Sequence, residues 1–241
     1  MLFPKDFIRS RTYSARTSAM FAGLLFIVLT IAFTLSLPKA QAQKASLSSA
    51  APVKQVATAA VAPVKKAVAT AGSLKMISTP IPHFRAASSR TVDTIVMHYI
   101  SGINVDAGRW DDPGLSRSIL RQYGVSAHYL VARDGTVYRL VNEKNVAYHA
   151  GGSIMPAPDN RRNVNRFSIG IEVIATQKSG YTEAQYVAVE QLVNGIRLRH
   201  PIKNIVGHDE ISGRRAVTMG LRKDVKPDPG PLFDWSRVPG R

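Results

Sequence analysis

The chain's most chemically loaded stretch is Asp224-Val225-Lys226-Pro227-Asp228-Pro229-Gly230-Pro231-Leu232-Phe233. Three prolines within five residues stiffen this backbone and remove three amide donors. A glycine among them supplies the freedom to turn. In an extended segment residues i and i+2 point the same way, so the heads of Lys226 and Asp228 reach one site. A rigid loop presenting a carboxylate and an amine suits a fixed metal ligand beside an electrostatic catalyst. The same ten residues also read as a proline-rich tail with two solvated charges. Two histidines bear on the choice. His98 lies towards the end of an apolar run, and His208 follows another in Val206-Gly207-His208-Asp209. Two imidazoles and one carboxylate form a catalytic zinc set with a fourth position open to water. No short spacing such as H-E-x-x-H joins them, so the fold must bring them together, and a lone histidine at a strand end also serves as a hydrogen-bonded surface or core residue.

The elements that must do this positioning are legible in outline. Thr91–Ile100 is β-rich and almost unbroken in apolar residues, as a central strand is, and it is expected to be the first strand of the domain. Asp111-Asp112-Pro113 starts a helix that continues through Leu115–Tyr123. Ala127–Ala132 and Thr136–Val141 flank Asp134-Gly135, a hairpin signal. Val146–His149 reads as a short strand and Ser168–Ala175 as another apolar one. Thr182 caps a helix and Gln185 closes a capping box. Val189, Leu192, Val193 and Ile196 then follow the spacing of an amphipathic helix, which Pro201 ends. Ile202–Gly207 is the last strand. Strands mixed with helices, hairpin included, predict an α/β domain with a central mixed sheet flanked by helices, spanning residues 76–241. Within Ser168–Ala175, Ile169 and Ile171 point one way while Gly170 and Glu172 point the other. Glu172 is therefore either a charge on an edge strand or a carboxylate aimed into a cleft.

Six segments, in order, resemble the zinc-dependent N-acetylmuramoyl-L-alanine amidases of the type 2 family. Peptidoglycan recognition proteins and amidase-type phage lysozymes share that fold. The segments are Ile95–Tyr99, Val125–Val131 with Asp134-Gly135, Ala147–Gly151, Ser168–Glu172, Val206–Asp209 and Lys226–Pro231. The likeness covers roughly residues 80–235. It implies zinc held by His98, His208 and Asp228, Glu172 as the acidic residue that activates water, and Lys226 as the cation that stabilises the oxyanion. It also implies a peptidoglycan or muropeptide substrate, cut between N-acetylmuramic acid and the L-alanine of the stem. The chemistry is consistent with these roles. An amide is a poor electrophile, so its carbonyl needs a Lewis acid. A carboxylate must take a proton from water and return it to the leaving amine.

Other positions stay open. His149, in a His-Ala-Gly turn, matches a substrate contact of the family or serves the turn itself. His128 is expected to pack beneath the site and Tyr99 to join the core. Asn165 stands a few residues before the Glu172 strand and holds that loop in one reading. Between His208 and Asp228, residues 210–225 make a connection longer than in compact members of the family, with Arg214, Arg215, Arg222 and Lys223. It shapes a groove for an anionic peptide or is a surface loop.

The N-terminal third has a different character. Of the net charge of +16, residues 1–75 contribute ten basic groups against one acid. Over half of the excess charge thus lies outside the globular part, which argues against a basic nucleic-acid-binding face. Lys5, Arg9, Arg11 and Arg16 precede the uncharged run Phe21–Leu37, and Ala40-Gln41-Ala42 fits a small-x-small cleavage site. Residues 1–42 are read as an export signal, or as an uncleaved anchor across the inner membrane through residues 20–37. Either places the domain in the periplasm or cell envelope. Residues 43–75, with Ala51-Pro52-Val53-Lys54 repeated as Ala62-Pro63-Val64-Lys65, form a disordered tether. The absence of cysteine excludes disulfides and thiolate ligands. A monomer is expected. The rival reading is a non-catalytic peptidoglycan-binding module of the same fold, distinguished by missing metal ligands.

Overall fold

Two seven-residue apolar runs form the centre of the sheet, buried along their whole length on both faces. The computed structural model describes residues 73–241. In chain order the elements are β1 (Met76–Ser78), β2 (Phe84–Arg85), β3 (Thr94–Ile100), α1 (Pro113–Gln122), β4 (Tyr129–Val131), β5 (Val137–Arg139), β6 (Val146–Ala147), β7 (Ser168–Ile174), α2 (Glu183–Arg199), β8 (Asn204–Gly207), α3 (His208–Ile211) and α4 (Arg214–Thr218). Six strands form a mixed sheet in the order β1-β5-β4-β7-β3-β8. Strands β4, β7, β3 and β8 run parallel, while β5 returns antiparallel to β4 and pairs in parallel with β1. β2 and β6 make a separate two-stranded ribbon.

Local chemistry explains several element ends. Asp112 accepts the Leu115 amide at 2.6 Å, capping α1, and Pro113 occupies its first turn. Thr182 and Gln185 make both bonds of the capping box on α2. In the hairpin, Gly135 has φ +82°, and its Cβ position would fall 2.7 Å from the Ala184 carbonyl. Two expectations need correction. The strand expected from Thr91 starts at Thr94, because the Asp93 carbonyl accepts both the Lys203 and Asn204 amides instead of continuing the ladder. Nor is it the first strand: β1 and β2 precede it. Both are short and exposed, so no apolar alternation marked them in the sequence.

Alternation divides the sheet into two unlike faces. Ile95, Met97, Ile169, Ile171 and Ile205 pack against Val189, Leu192, Val193 and Ile196 of α2 in one apolar layer. The opposite face carries Val96, Leu130, Ile174 and Val206, and between them His98, His128 and Glu172. The expected leader lies outside the described residues, as does the tether apart from residues 73–75. Among the described residues no helix is long and apolar enough to cross a membrane.

Candidate metal centre

Register brings the first two groups together. His98 on β3 and Glu172 on β7 are direct cross-strand partners on the same face. A slip of one residue in either strand would send that strand's group into the α2 layer. His208 is the first residue of α3, immediately after β8, so the strand's end delivers it to the same edge. Asp228 comes from the proline loop, which backbone bonds pin in place. The Asp209 amide donates to the Asp228 carbonyl at 2.8 Å, and the Lys226 amide to the Ser212 carbonyl at 3.0 Å. The Tyr181 hydroxyl donates to the Pro229 carbonyl at 2.7 Å.

His98 Nδ1, His208 Nδ1 and Asp228 Oδ2 form a triangle with sides of 3.0, 3.1 and 3.0 Å. All three residues are buried to about 1 % exposure. Around them, His208 Nε2, Asp228 Oδ1 and Glu172 Oε2 are buried without a hydrogen-bond partner. Such orphaned groups are rare and costly in folded proteins. Tetrahedral zinc ligands at ~2.0–2.1 Å from the ion lie ~3.3 Å from one another. The three donor atoms therefore have the chemistry and the burial of three of zinc's four ligands, at separations of 3.0–3.1 Å, a little short of that spacing.

The tautomer of His98 follows from a chain of bonds. The Ser168 hydroxyl donates to the Val164 carbonyl at 2.7 Å, so its oxygen accepts from His149 Nε2 at 3.2 Å. His149 Nδ1 is then an acceptor and takes the proton of His98 Nε2 at 3.1 Å. That leaves His98 Nδ1 a bare lone pair facing His208 and Asp228, the orientation that second-layer bonds impose on metal-binding histidines. Burial, and then neighbouring His208, hold the His98 imidazolium pKa down to about 4 although Asp228 opposes the shift. The ring is neutral at pH 7, as a ligand must be. His149 fits only because Gly170 lies beneath it; a Cβ there would come within 2.4 Å of the ring. Asn165 Oδ1 accepts the amides of His149 and Ala150, fixing the turn. His128 packs below, where its Nδ1 accepts the Gly170 amide.

A cavity of about 270 Å³ opens beside the triangle, lined by Tyr148, Asn165, Glu172, His208, Arg222 and Lys226 among others. Burial, and then the charge of Asp228, push the Glu172 carboxyl up to about 8. Burial lowers the Lys226 ammonium against the pull of Asp228.

A family model described as N-acetylmuramoyl-L-alanine amidase matches residues 88–231. The chain belongs to this family. It is 34 % identical over 173 residues to 1,6-anhydro-N-acetylmuramyl-L-alanine amidase AmpD of Haemophilus influenzae, covering 65 % of this chain and 86 % of that protein. It is 32 % identical over 165 residues to N-acetylmuramoyl-L-alanine amidase AmiD of Escherichia coli, covering 61 % and 52 % respectively. A crystal structure of a selenomethionine derivative of AmpD superimposes with a TM-score of 0.52 and 30 % identity, over 68 % of this chain and 92 % of that one.

For this amidase-family chain, the five central residues expected from the sequence converge on one edge of the sheet: His98, His208 and Asp228 in contact, Glu172 and Lys226 on the adjoining cavity. His149 lines the same cavity, with both ring nitrogens engaged in the bond chain that orients His98. Tyr99 is buried on the opposite face. Ser168 and Gly170 were not singled out, although they orient and accommodate His149; their parity with Glu172 in the same strand was the available signal. Arg90 was missed too. It donates to the carbonyls of Glu143, Asn165 and Ser168 at 3.0 Å each, tying three loops together, and nothing in its sequence context marks it.

Proposed function

We propose that the chain is a zinc-dependent peptidoglycan hydrolase that cleaves the amide between the lactyl group of N-acetylmuramic acid and the L-alanine of the stem peptide. The observation that carries this is the triangle of three buried donor atoms beside a buried, unpartnered Glu172. A non-catalytic binding module needs neither. His98, His208 and Asp228 would hold the ion, which when bound supplies Lewis acidity for the amide carbonyl and acidifies water.

The chain's own residues do the rest. Glu172 Oε2, free of hydrogen bonds, accepts a proton from the attacking water and returns it to the leaving nitrogen. Its elevated pKa suits both halves of that transfer, because the carboxyl gains a proton readily and a nearby cation favours its ionised form. Lys226 projects its ammonium into the cavity beside the reacting carbonyl, where the developing oxyanion gathers charge. His149 contacts the substrate at the cavity wall while its nitrogens hold the His98 tautomer. All of these groups come from one chain, so a monomer suffices.

The domain, residues 76–241, is proposed to be exported to the periplasm or cell envelope behind the signal or anchor of residues 1–42 and the tether of residues 43–75. The charged leader, the uncharged run Phe21–Leu37 and the small residues Ala40-Gln41-Ala42 support that reading.

Digestion of purified peptidoglycan by the zinc-loaded protein tests the reaction. New L-alanine amino termini, abolished by chelation and restored by zinc, are the expected result. New reducing sugar ends, or new termini within the stem, would overturn it.

A further inference from the structure

The long connection between His208 and Asp228 is part of the site wall. At the end of α3, the Ile154 amide donates to the Ile211 carbonyl at 2.9 Å, and the hydroxyl of the next residue, Ser212, reaches the carbonyls of Ala150 and Gly152. From α4, Arg215 donates to the Met155 carbonyl at 2.9 Å. The tightest approach is at Gly152, where a Cβ would stand 1.9 Å from the Leu221 carbonyl oxygen. Backbone therefore lies on backbone, and the next residue, Arg222, is fixed over the His149–Gly152 turn. Its side chain lines the cavity shared by Glu172, His208 and Lys226. Arg222 Nε is bound to the Asp224 carbonyl of its own loop. Among the described residues neither Nη atom has a hydrogen-bond partner, and no carboxylate pairs with the guanidinium. A half-buried cation held this way presents an empty planar fork to the cavity, the geometry that matches a carboxylate bidentately.

The muropeptide bound to Escherichia coli AmiD, anhydro-N-acetylmuramic acid-L-Ala-D-γ-Glu-L-Lys, runs from the muramic acid through L-alanine to a γ-linked glutamate, whose α-carboxylate is not used in the chain linkage. Two residues of extended chain span roughly 7 Å, the scale of a cavity wall beside the reacting atoms. A second cavity, of about 740 Å³, opens at the other side of the sheet edge between Tyr99, Ile103, Trp110, Gln177 and Lys178. It is aromatic and carries one cation, suited to uncharged sugar rather than to an acidic peptide.

We infer that Arg222, on the 210–225 insertion, recognises the free α-carboxylate of the stem's γ-linked glutamate and so makes the enzyme select the acid over the α-amidated form. This rests on the amidase reading above. The test uses the zinc-loaded full chain and two muropeptides identical except for that carboxyl, free or amidated. The wild type is expected to favour the acid in kcat/KM by about tenfold or more, as for a charged hydrogen bond. Arg222→Ala and the stem-preserving Arg222→Gln are expected to bring that ratio close to one, with Arg222→Lys intermediate. A ratio is insensitive to a general loss of folded protein, so either variant is decisive. A wild type indifferent to the carboxyl, or an Arg222→Gln protein that keeps the wild-type ratio, would overturn the assignment while leaving the amidase reading intact. Failure of the wild type to cleave either muropeptide would remove the amidase reading and this inference with it.

Discussion

Two polar clusters, one built around Tyr129 and the end of α2 and the other on the opposite, site-bearing face of the sheet, are satisfied in opposite ways. In one, Glu143 accepts the Tyr129 hydroxyl at 2.6 Å, Arg199 at 2.8 and 3.1 Å, and His200 at 2.9 Å. Arg90 joins it through the Glu143 carbonyl and lies against His128. Protons and guanidinium groups meet the acceptors, and no side-chain atom of these residues is buried without a partner. Burial pushes the Glu143 carboxyl up, but the bonds from Arg199, Tyr129 and His200 outweigh it and hold the pKa at about 2. In the other cluster three lone-pair donors converge within 3.1 Å, and the neighbouring carboxylate and imidazole atoms are left over. A closed network stabilises the fold. An open one of this composition is a donor set that a cation would fill, with groups to spare for chemistry.

The two clusters differ most at the ligand positions. Asp228→Ala or His208→Ala should abolish both bound zinc and amide cleavage, read by elemental analysis and by release of stem peptide. Full activity in a metal-free protein would contradict the contrast at its root. The next effect is smaller and purely kinetic. Glu172→Gln should keep zinc and lower kcat by roughly 10²–10⁴-fold, the usual worth of a general base. Lys226→Ala should lower it by roughly 10²–10³-fold, as for an oxyanion donor, again with zinc retained.

In the closed cluster the same kind of change should act on stability. Glu143→Gln leaves a carbonyl oxygen for the Tyr129 hydroxyl but removes the counter-charge of the half-exposed Arg199, at an expected loss of about 1–2 kcal/mol in denaturant unfolding. Zinc content should be unaffected. A drop in zinc binding without a drop in stability would show the clusters to be one functional unit.

The smallest effect is on the pH profile of unfolding. Burial, and then the charge of Arg90, hold the His128 imidazolium pKa at about 3, against 6.5 in the unfolded chain. Between those values the unfolded state binds the extra proton, so this residue makes stability fall as pH drops through the window from about 6.5 to about 3. Glu143 acts lower. Its stabilising share is complete above about 4.5 and is lost as pH falls towards 2. His128→Gln should flatten the slope between pH 6.5 and 4 whatever it does to absolute stability; an unchanged slope would mean that His128 titrates normally.

Much of this was written in the chain itself. Asp112-Pro113, Thr182 with Gln185, and Asp134-Gly135 specify helix starts and a hairpin by local bonding, which needs only neighbouring residues. The unbroken apolar runs at Thr94–Ile100 and Ser168–Ile174 specify central strands, and the parity of Ile169, Ile171 and Glu172 separates core face from site face. The proline loop specifies a rigid carrier for Lys226 and Asp228. Only the tertiary structure decided the remainder. β1 and β2 exist because the hairpin and ribbon partners offer free edges to short, exposed segments with no pattern of their own. The convergence of His98, His208 and Asp228 depends on the pairing of β3 with β8, residues more than 100 positions apart. Arg222 looked like one basic residue among four in an insertion. Its place at the cavity follows from a backbone contact at Gly152, about 70 residues upstream, and contacts at that separation leave no periodicity in a sequence to be read.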